Sequence, residues 1–437
     1  MDGRDTTCIE STTRKRMDPA LPVDPCLTSA DAIVLDNLLA DADEAPVSDQ
    51  TTIKQLTGLT DETSTSFEPT IFATWDLKDV HLPAVLQKGV LQPYIRWAQG
   101  VVRRPTDVIF LNHILFYLTT ALPSALYLFY HFSYTHAICH WVLIGWSCGA
   151  FTLMLHNHIH NHGVLAKPYA VLDQAWPYVL EPLMGHTWDS YYYHHVKHHH
   201  VENNGPDDLS STIRYQRDEL THFLHYVGRF LLLVWLELPL YFVRKRKMGL
   251  AVRAAVSELG SYLALALLAR WNFRATLFVF IIPLVQMRIG MMVGNWGQHA
   301  LVDEIEPDSD FRSSITLIDV PSNRYCFNDG YHTSHHLNPR RHWRDHPASF
   351  MKAKEQYASG RALVFRNIDY IMMTITLLRH DYDHLARCLV PIGEQIQMSH
   401  QERVDLLRQK TRRFSEEEIR RKFPVSVRMG GKQKQKH

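Results

Sequence analysis

The sequence predicts an all-α integral membrane protein, with four transmembrane helices in two hairpins, an interfacial helix and a cytosolic histidine-rich cap. Three observations point there. Five apolar runs break up a 437-residue chain whose mean hydropathy is only −0.19. Basic residues stand at particular ends of those runs, Arg103 and Arg104 before the first and Arg244 to Lys247 after the third. The histidine-dense pieces, from a total of 27 histidines, all fall in stretches that this topology puts on one side.

The elements follow in chain order. Residues 1–66 are rich in Ser, Thr, Asp and Pro without a sustained apolar period, which predicts disorder, and they lack the charged start and apolar core of a secretory signal. A membrane domain is expected over 67–395. A bilayer crossing takes roughly 20 mostly apolar residues, and the candidate runs are 108–131, 138–155, 223–243, 254–269 and 275–293. The first two are joined by FSYTHA, too short for anything but a hairpin. The run 223–243 carries Arg229, Glu237 and Pro239 and ends in RKRK, so it is read as interfacial, with its basic end on the cytosolic side. The last two then form a second hairpin turning at RWNFR, and Arg288 inside the final span must face protein or snorkel. A polar, basic tail is expected over 396–437. Both termini fall on the cytosolic side, in the endoplasmic reticulum if the cell is eukaryotic.

Composition narrows the partners. The chain has 46 Lys plus Arg against 45 Asp plus Glu, which gives no basis for a nucleic-acid partner. Its six cysteines form no CxxC pair and read as free thiols of a reducing compartment.

Four histidine clusters share the cytosolic face. In MLHNHIHNHGVL, residues four apart lie on one helix face, so His156 with His160, or His158 with His162, grips one metal; the first pair, which leaves the apolar run first, is favoured. HHVKHHHVENN offers His195, His198 and His199 as an HxxHH triplet, with His194 and His200 spare. GNWGQH sets Asn295 four residues before His299. NDGYHTSHH gives a second HxxHH through His332, His335 and His336. One HxxHH alone reads as a solvated patch, but four clusters on one face do not. A catalytic zinc takes three protein ligands and a structural one four, so nine histidines oversupply a single zinc. They suit two metals with positions left open for O2, and Asn295 is placed to hold a metal-bound water.

The ordered boxes HxxxH, HxxHH and HxxHH, with NxxxH before the last, resemble the integral-membrane fatty acid desaturase family. The closest correspondence is the acidic-Gly-aromatic-His-x-x-His-His pattern of Asp329, Gly330, Tyr331, His332, His335 and His336. The resemblance covers roughly residues 100–350. It implies O2-dependent desaturation of a fatty acyl chain or related lipid by two non-haem irons held by His156, His160, His195, His198, His199, His299, His332, His335 and His336. No haem motif of a fused cytochrome b5 occurs, so electrons are expected from an external donor such as cytochrome b5 or ferredoxin with its reductase. The competing readings are a lipid hydroxylase on the same site and, from another class, a histidine-rich metal transport or storage protein.

Overall fold

In the computed structural model, residues 27–43, 45, 47–72, 75–76, 80–318 and 320–423 are described. Among them, four helical stretches are long and apolar enough to cross a bilayer: Pro105–Tyr130, Tyr134–Asn161, Leu220–Arg244 and Met248–His299. Around these lie two N-terminal helices, α1 (Ser29–Ala42) and α2 (Asp49–Gly58), and a cap of short helices and turns. The first two long stretches are α3 (Pro105–Tyr130) and α4 (Tyr134–Asn161).

Ser133 starts α4 by accepting a hydrogen bond from the His136 amide, the usual satisfaction of an orphan donor at a helix start. At 1.5 Å per residue its 28 residues run about 42 Å. That exceeds the ~30 Å apolar layer of a bilayer, which leaves length for the last turns, bearing His156 and His160, to stand outside it. Trp146, 85% exposed in the middle of α4, needs lipid rather than water as its neighbour.

Met248–His299 is helical nearly throughout but not straight. Asn272 leaves helical geometry (φ −146°, ψ 94°) inside α7 (Met248–Thr276), and a π-helical turn, Leu277–Ile281, continues the chain into α8 (Ile282–His299). The arms face each other across that break, for Arg288 of α8 pairs with Glu258 of α7 at 2.7 Å and donates to the Tyr262 hydroxyl. Arg288 is 6% exposed. Its costly charge is thus met inside protein, not in lipid.

The remaining long helix, α6 (Leu220–Arg244), passes the length and hydropathy test for a span, and it also touches the cap. Tyr226 donates to the Ser210 carbonyl, Phe230 packs on His194, and Tyr241 meets the His198 ring and the Glu202 carboxylate. Tyr226 and Tyr241 are separated by about 22 Å of helix, yet both touch the one segment 194–210. Between Tyr226 and Tyr241 the helix therefore runs beside that segment, while Val234 and Leu238 also cluster with Ala251 and Ala254 of α7 and with Met292 and Trp296 of α8.

The N-terminal expectation is corrected in part. Residues 1–26 lie outside the described residues, but α1 and α2 are folded against the cap. Val34, Leu35, Leu38 and Leu56 pack with Ile318, Tyr331, Phe350 and Met351, and Lys354 binds Asn37, Asp41 and Asp49. A few apolar residues at helical spacing outweigh a polar average once a partner surface exists.

The tail is corrected likewise. Residues 424–437 are outside the described set, whereas α11 (His400–Lys410) and α12 (Glu416–Lys422) are both opened by Ser–Glu capping boxes and packed on the cap. Phe414, Ile419 and Phe423 cluster with Ile213 and Val302. Fully buried Arg217 donates to the backbone carbonyls of Tyr215, Ala300, Lys410 and Arg412. A pair of three-residue parallel strands, Ile315–Leu317 with Leu363–Phe365, braces the cap behind the third histidine box.

Candidate metal centre

The histidines meet in two adjoining nests. In the first, His156 Nε2 lies 2.9 Å from His195 Nε2 and 3.1 Å from His335 Nε2, while His200 Nε2 lies 3.0 Å from His195 Nε2 and 2.8 Å from His335 Nε2. His160 completes it, its ring within 5.1 Å of those of His156, His195, His200 and His335. In the second, His332 Nε2 is 3.0 Å from both His299 Nε2 and His336 Nε2, and His199 faces His299 and His336. Five histidines form one nest and four the other.

Local structure decides who points where. His156 and His160 share a face of α4. His158 instead meets the Asp173 carbonyl at 2.9 Å and packs on Trp176. His162 caps the helix in left-handed geometry, φ 55°. The second box is not α-helical. Tyr192–His199 is a π-helix, whose bonds close over five residues instead of four. That winding brings His195, His199 and His200 inward, where an α-helix would have aligned His195, His198 and His199.

His198 is accordingly not brought to the nests, and His200 stands in its expected place. The His198 Nε2 accepts from the Leu209 amide at 3.1 Å, and its ring lies with His194 beside Asp208. In the third box, α9 (His332–Leu337) sends His335 to the first nest and His332 and His336 to the second.

The outer nitrogens are held by the fold. His199 Nδ1 donates to Asp208 at 2.7 Å, His336 Nδ1 to the Asn203 side-chain oxygen at 2.8 Å, and His299 Nδ1 reaches the Ser313 carbonyl at 3.3 Å. Each such bond keeps the proton on Nδ1 and aims the Nε2 lone pair inward. Asp208 is itself fixed by the Ser210 amide and hydroxyl and the Asn204 amide. Burial alone would raise its carboxyl, but the charge and hydrogen bond of His199 hold it well below the usual carboxylate range. Asn203 and Asn204 end this helix in left-handed geometry, φ 50° and 57°, which Asn tolerates better than most residues. Asn295 donates to the Ser210 carbonyl and to Tyr226, tying the end of α8 to the loop that carries Asp208.

Burial, then the neighbouring imidazoles, push His195, His200, His332 and His335 well below the ordinary histidine pKa. They are neutral donors at physiological pH. Beside the first nest a cavity of about 20 Å³ is lined by His156, His160, His335, Phe327, Arg341 and Trp343, among others.

The sequence model of the fatty acid desaturase family matches residues 133–367, more than half of the chain. The chain belongs to the fatty acid desaturase family. No curated protein and no solved structure gives a match. As a desaturase-family member it is a membrane protein and an oxidoreductase, and its histidines fit the metal that such a family uses. Metal–nitrogen bonds of about 2.0–2.1 Å place neighbouring ligands roughly 3 Å apart in a right-angled shell, close to the 2.8–3.1 Å nitrogen separations here. His160 Nε2 is buried with no hydrogen-bond partner, an orphan that a metal would satisfy. One nest residue, His200, and two supporting residues, Asp208 and Asn203, escape a reading that assumes α-helical winding. The paired asparagines of HVENNG are the one sequence signal that a helix ends there.

Proposed function

We propose that this protein is an O2-dependent desaturase of a fatty acyl chain or related lipid, with one iron in each nest. His156, His160, His195, His200 and His335 would hold the first, and His199, His299, His332 and His336 the second. The convergence of nine imidazoles, six of them buried, into two touching nests carries this reading. Two irons supply the oxidation that removes hydrogen from an unactivated C–H bond, which no side chain performs alone.

The chain's own contribution is placement. Asp208, Asn203 and the Ser313 carbonyl keep imidazole protons on the outer nitrogens, and burial holds His195, His200, His332 and His335 below the ordinary histidine pKa. The cavity beside the first nest has an apolar edge of Leu153, Phe327 and Trp343, and at about 20 Å³ it is the size of one water molecule. Electrons come from a separate donor such as cytochrome b5 or ferredoxin with its reductase. The nests face the cytosol, α3, α4, α7 and α8 cross the bilayer, and α6 lies along its surface with both chain termini cytosolic.

The test is elemental analysis of the purified protein together with mass spectrometry of lipids from cells with and without it. Two tightly held irons per chain and a lipid lighter by two hydrogens are expected. An added oxygen would reassign the site to hydroxylation, and exchangeable zinc without any lipid change would reassign it to metal transport or storage.

A further inference from the structure

Every ligand-bearing element described so far lies within residues 133–367, yet one buried carboxylate at the site's edge comes from far outside that range. Asp31, in the first turn of α1, is fully buried. It accepts a 2.7 Å hydrogen bond from the Tyr331 hydroxyl and another, at 3.2 Å, from the Asn323 side-chain amide. Tyr331 is the residue immediately before His332. Asn323 uses its other face to accept from the Gly330 amide at 2.9 Å, and its amide also donates to the Leu317 carbonyl. A Cβ on Gly330 would collide with Asn323 and with that carbonyl, so the turn can be glycine only.

The backbone of this turn is strained. Phe327 and Asn328 both stand in the left-handed region, φ 56° and 57°, where a buried aromatic residue is an outlier. Such geometry persists only where its surroundings over-determine it. Two clamps do so: Tyr370 donates to the Asp329 and Gly330 carbonyls from one side, and Asp31 with Asn323 grips Gly330 and Tyr331 from the other. The turn launches α9, and α9 carries three of the nine histidines, feeding both nests.

We infer that Asp31 is a positioning residue for the metal centre: through Tyr331 and Asn323 it sets the direction in which α9 presents His332, His335 and His336. The N-terminal helix is then a working part of the site and not a solvated leader. This rests on the two-iron reading above. An acceptor at position 31 is what the clamp needs, because both of its partners donate. Asp31→Asn retains a carbonyl oxygen for them, whereas Asp31→Ala leaves the Tyr331 hydroxyl and the Asn323 amide buried without it.

The experiment uses the full-length protein purified in detergent, with bound iron counted by elemental analysis and the one-electron-reduced iron pair observed by electron paramagnetic resonance. Asp31→Ala should lose at least half of the bound iron and lower lipid turnover about tenfold, the lower end of what is typical when a support behind a ligand is removed. Asp31→Asn should keep both irons. Tyr331→Phe, which removes one hydroxyl and no packing, should retain its helix content yet alter the resonance spectrum. Lys354→Ala serves as the control, because it removes the polar contacts of Asn37, Asp41 and Asp49 with the cap but leaves the apolar docking of α1 and the Asp31 hydrogen bonds in place, and it should hold iron like the parent.

The inference is overturned if Asp31→Ala binds two irons with the parent spectrum, if Asp31→Asn fails as badly as Asp31→Ala, or if Lys354→Ala loses as much iron as Asp31→Ala. A parent protein without iron would instead defeat the two-iron reading, and this inference with it.

Discussion

The first and second histidine boxes obey different helices. In the first, regular α-helical winding carries His156 and His160 into one nest and turns His158 toward the Asp173 carbonyl. In the second, π-helical winding replaces the expected His198 by His200. Spacing in sequence is thus a rule about a helix type, and a run of consecutive histidines hides which type applies. The π-turn also leaves His194 and His198 behind the nests, so the spare histidines of this box support the loop bearing Asp208 instead of competing for metal.

The sharpest way to break this comparison is to substitute His200 and His198 separately. His200→Ala should abolish lipid turnover and deplete the first nest's metal. His198→Ala should retain metal and most activity, losing about 1–3 kcal/mol of local stability because the Leu209 amide forfeits its acceptor. The opposite ranking, read from bound iron at matched expression, would restore the α-helical register.

A smaller effect is expected at Asp208. Asp208→Asn keeps the shape but removes the charge that fixes the His199 proton, and should weaken metal binding about 10–100-fold. Competition with a chelator measures it, and an unchanged affinity would show that the carboxylate braces only the loop. Smaller still are His158→Ala and His162→Ala in the first box, which should each leave iron at the parent level while His156→Ala and His160→Ala remove it.

The smallest effect is a pH dependence of the N-terminal docking. Burial lifts the Asp31 carboxyl from 3.8 to about 6, against the opposing pull of its hydrogen bonds. A folded value above the unfolded one means that the contribution is complete below the unfolded value and is lost as pH rises through the folded one. Protease resistance of α1 and α2 should therefore decline between about pH 4 and about pH 7, and Asp31→Asn should flatten that decline.

Much of the molecule was legible because membrane physics leaves large signals. Apolar length marked α3 and α4, and the break at Asn272 falls in the RWNFR stretch that separates two apolar runs. Eight of the nine histidines that meet in the nests were also readable, from spacing and from resemblance. What spacing missed depends on partners distant in sequence. The Ser and Asp content of the N-terminal segment hides Val34, Leu35 and Leu38, whose burial requires Ile318 and Phe350 from the far end of the chain. Hydropathy alone would let α6 cross the bilayer; Arg229, Glu237, Pro239 and the RKRK end argued against a crossing, and its contacts with Ser210, His194 and Glu202 are what the sequence did not foretell. Asp208 became visible only when the loop after the second box closed on His199.

The Arg217 hub orders events in time. Its guanidinium has no solvent to fall back on, and two of its acceptors are the carbonyls of Lys410 and Arg412, which leave the ribosome nearly two hundred residues later. Until they arrive, a buried cation waits beside the loop carrying Asp208, and Asp31 likewise waits for Tyr331. The part of the cap that braces the second box is therefore complete only once residues 410 and 412 exist, and on the two-iron reading proposed above a finished chain, not a growing one, is what takes up metal.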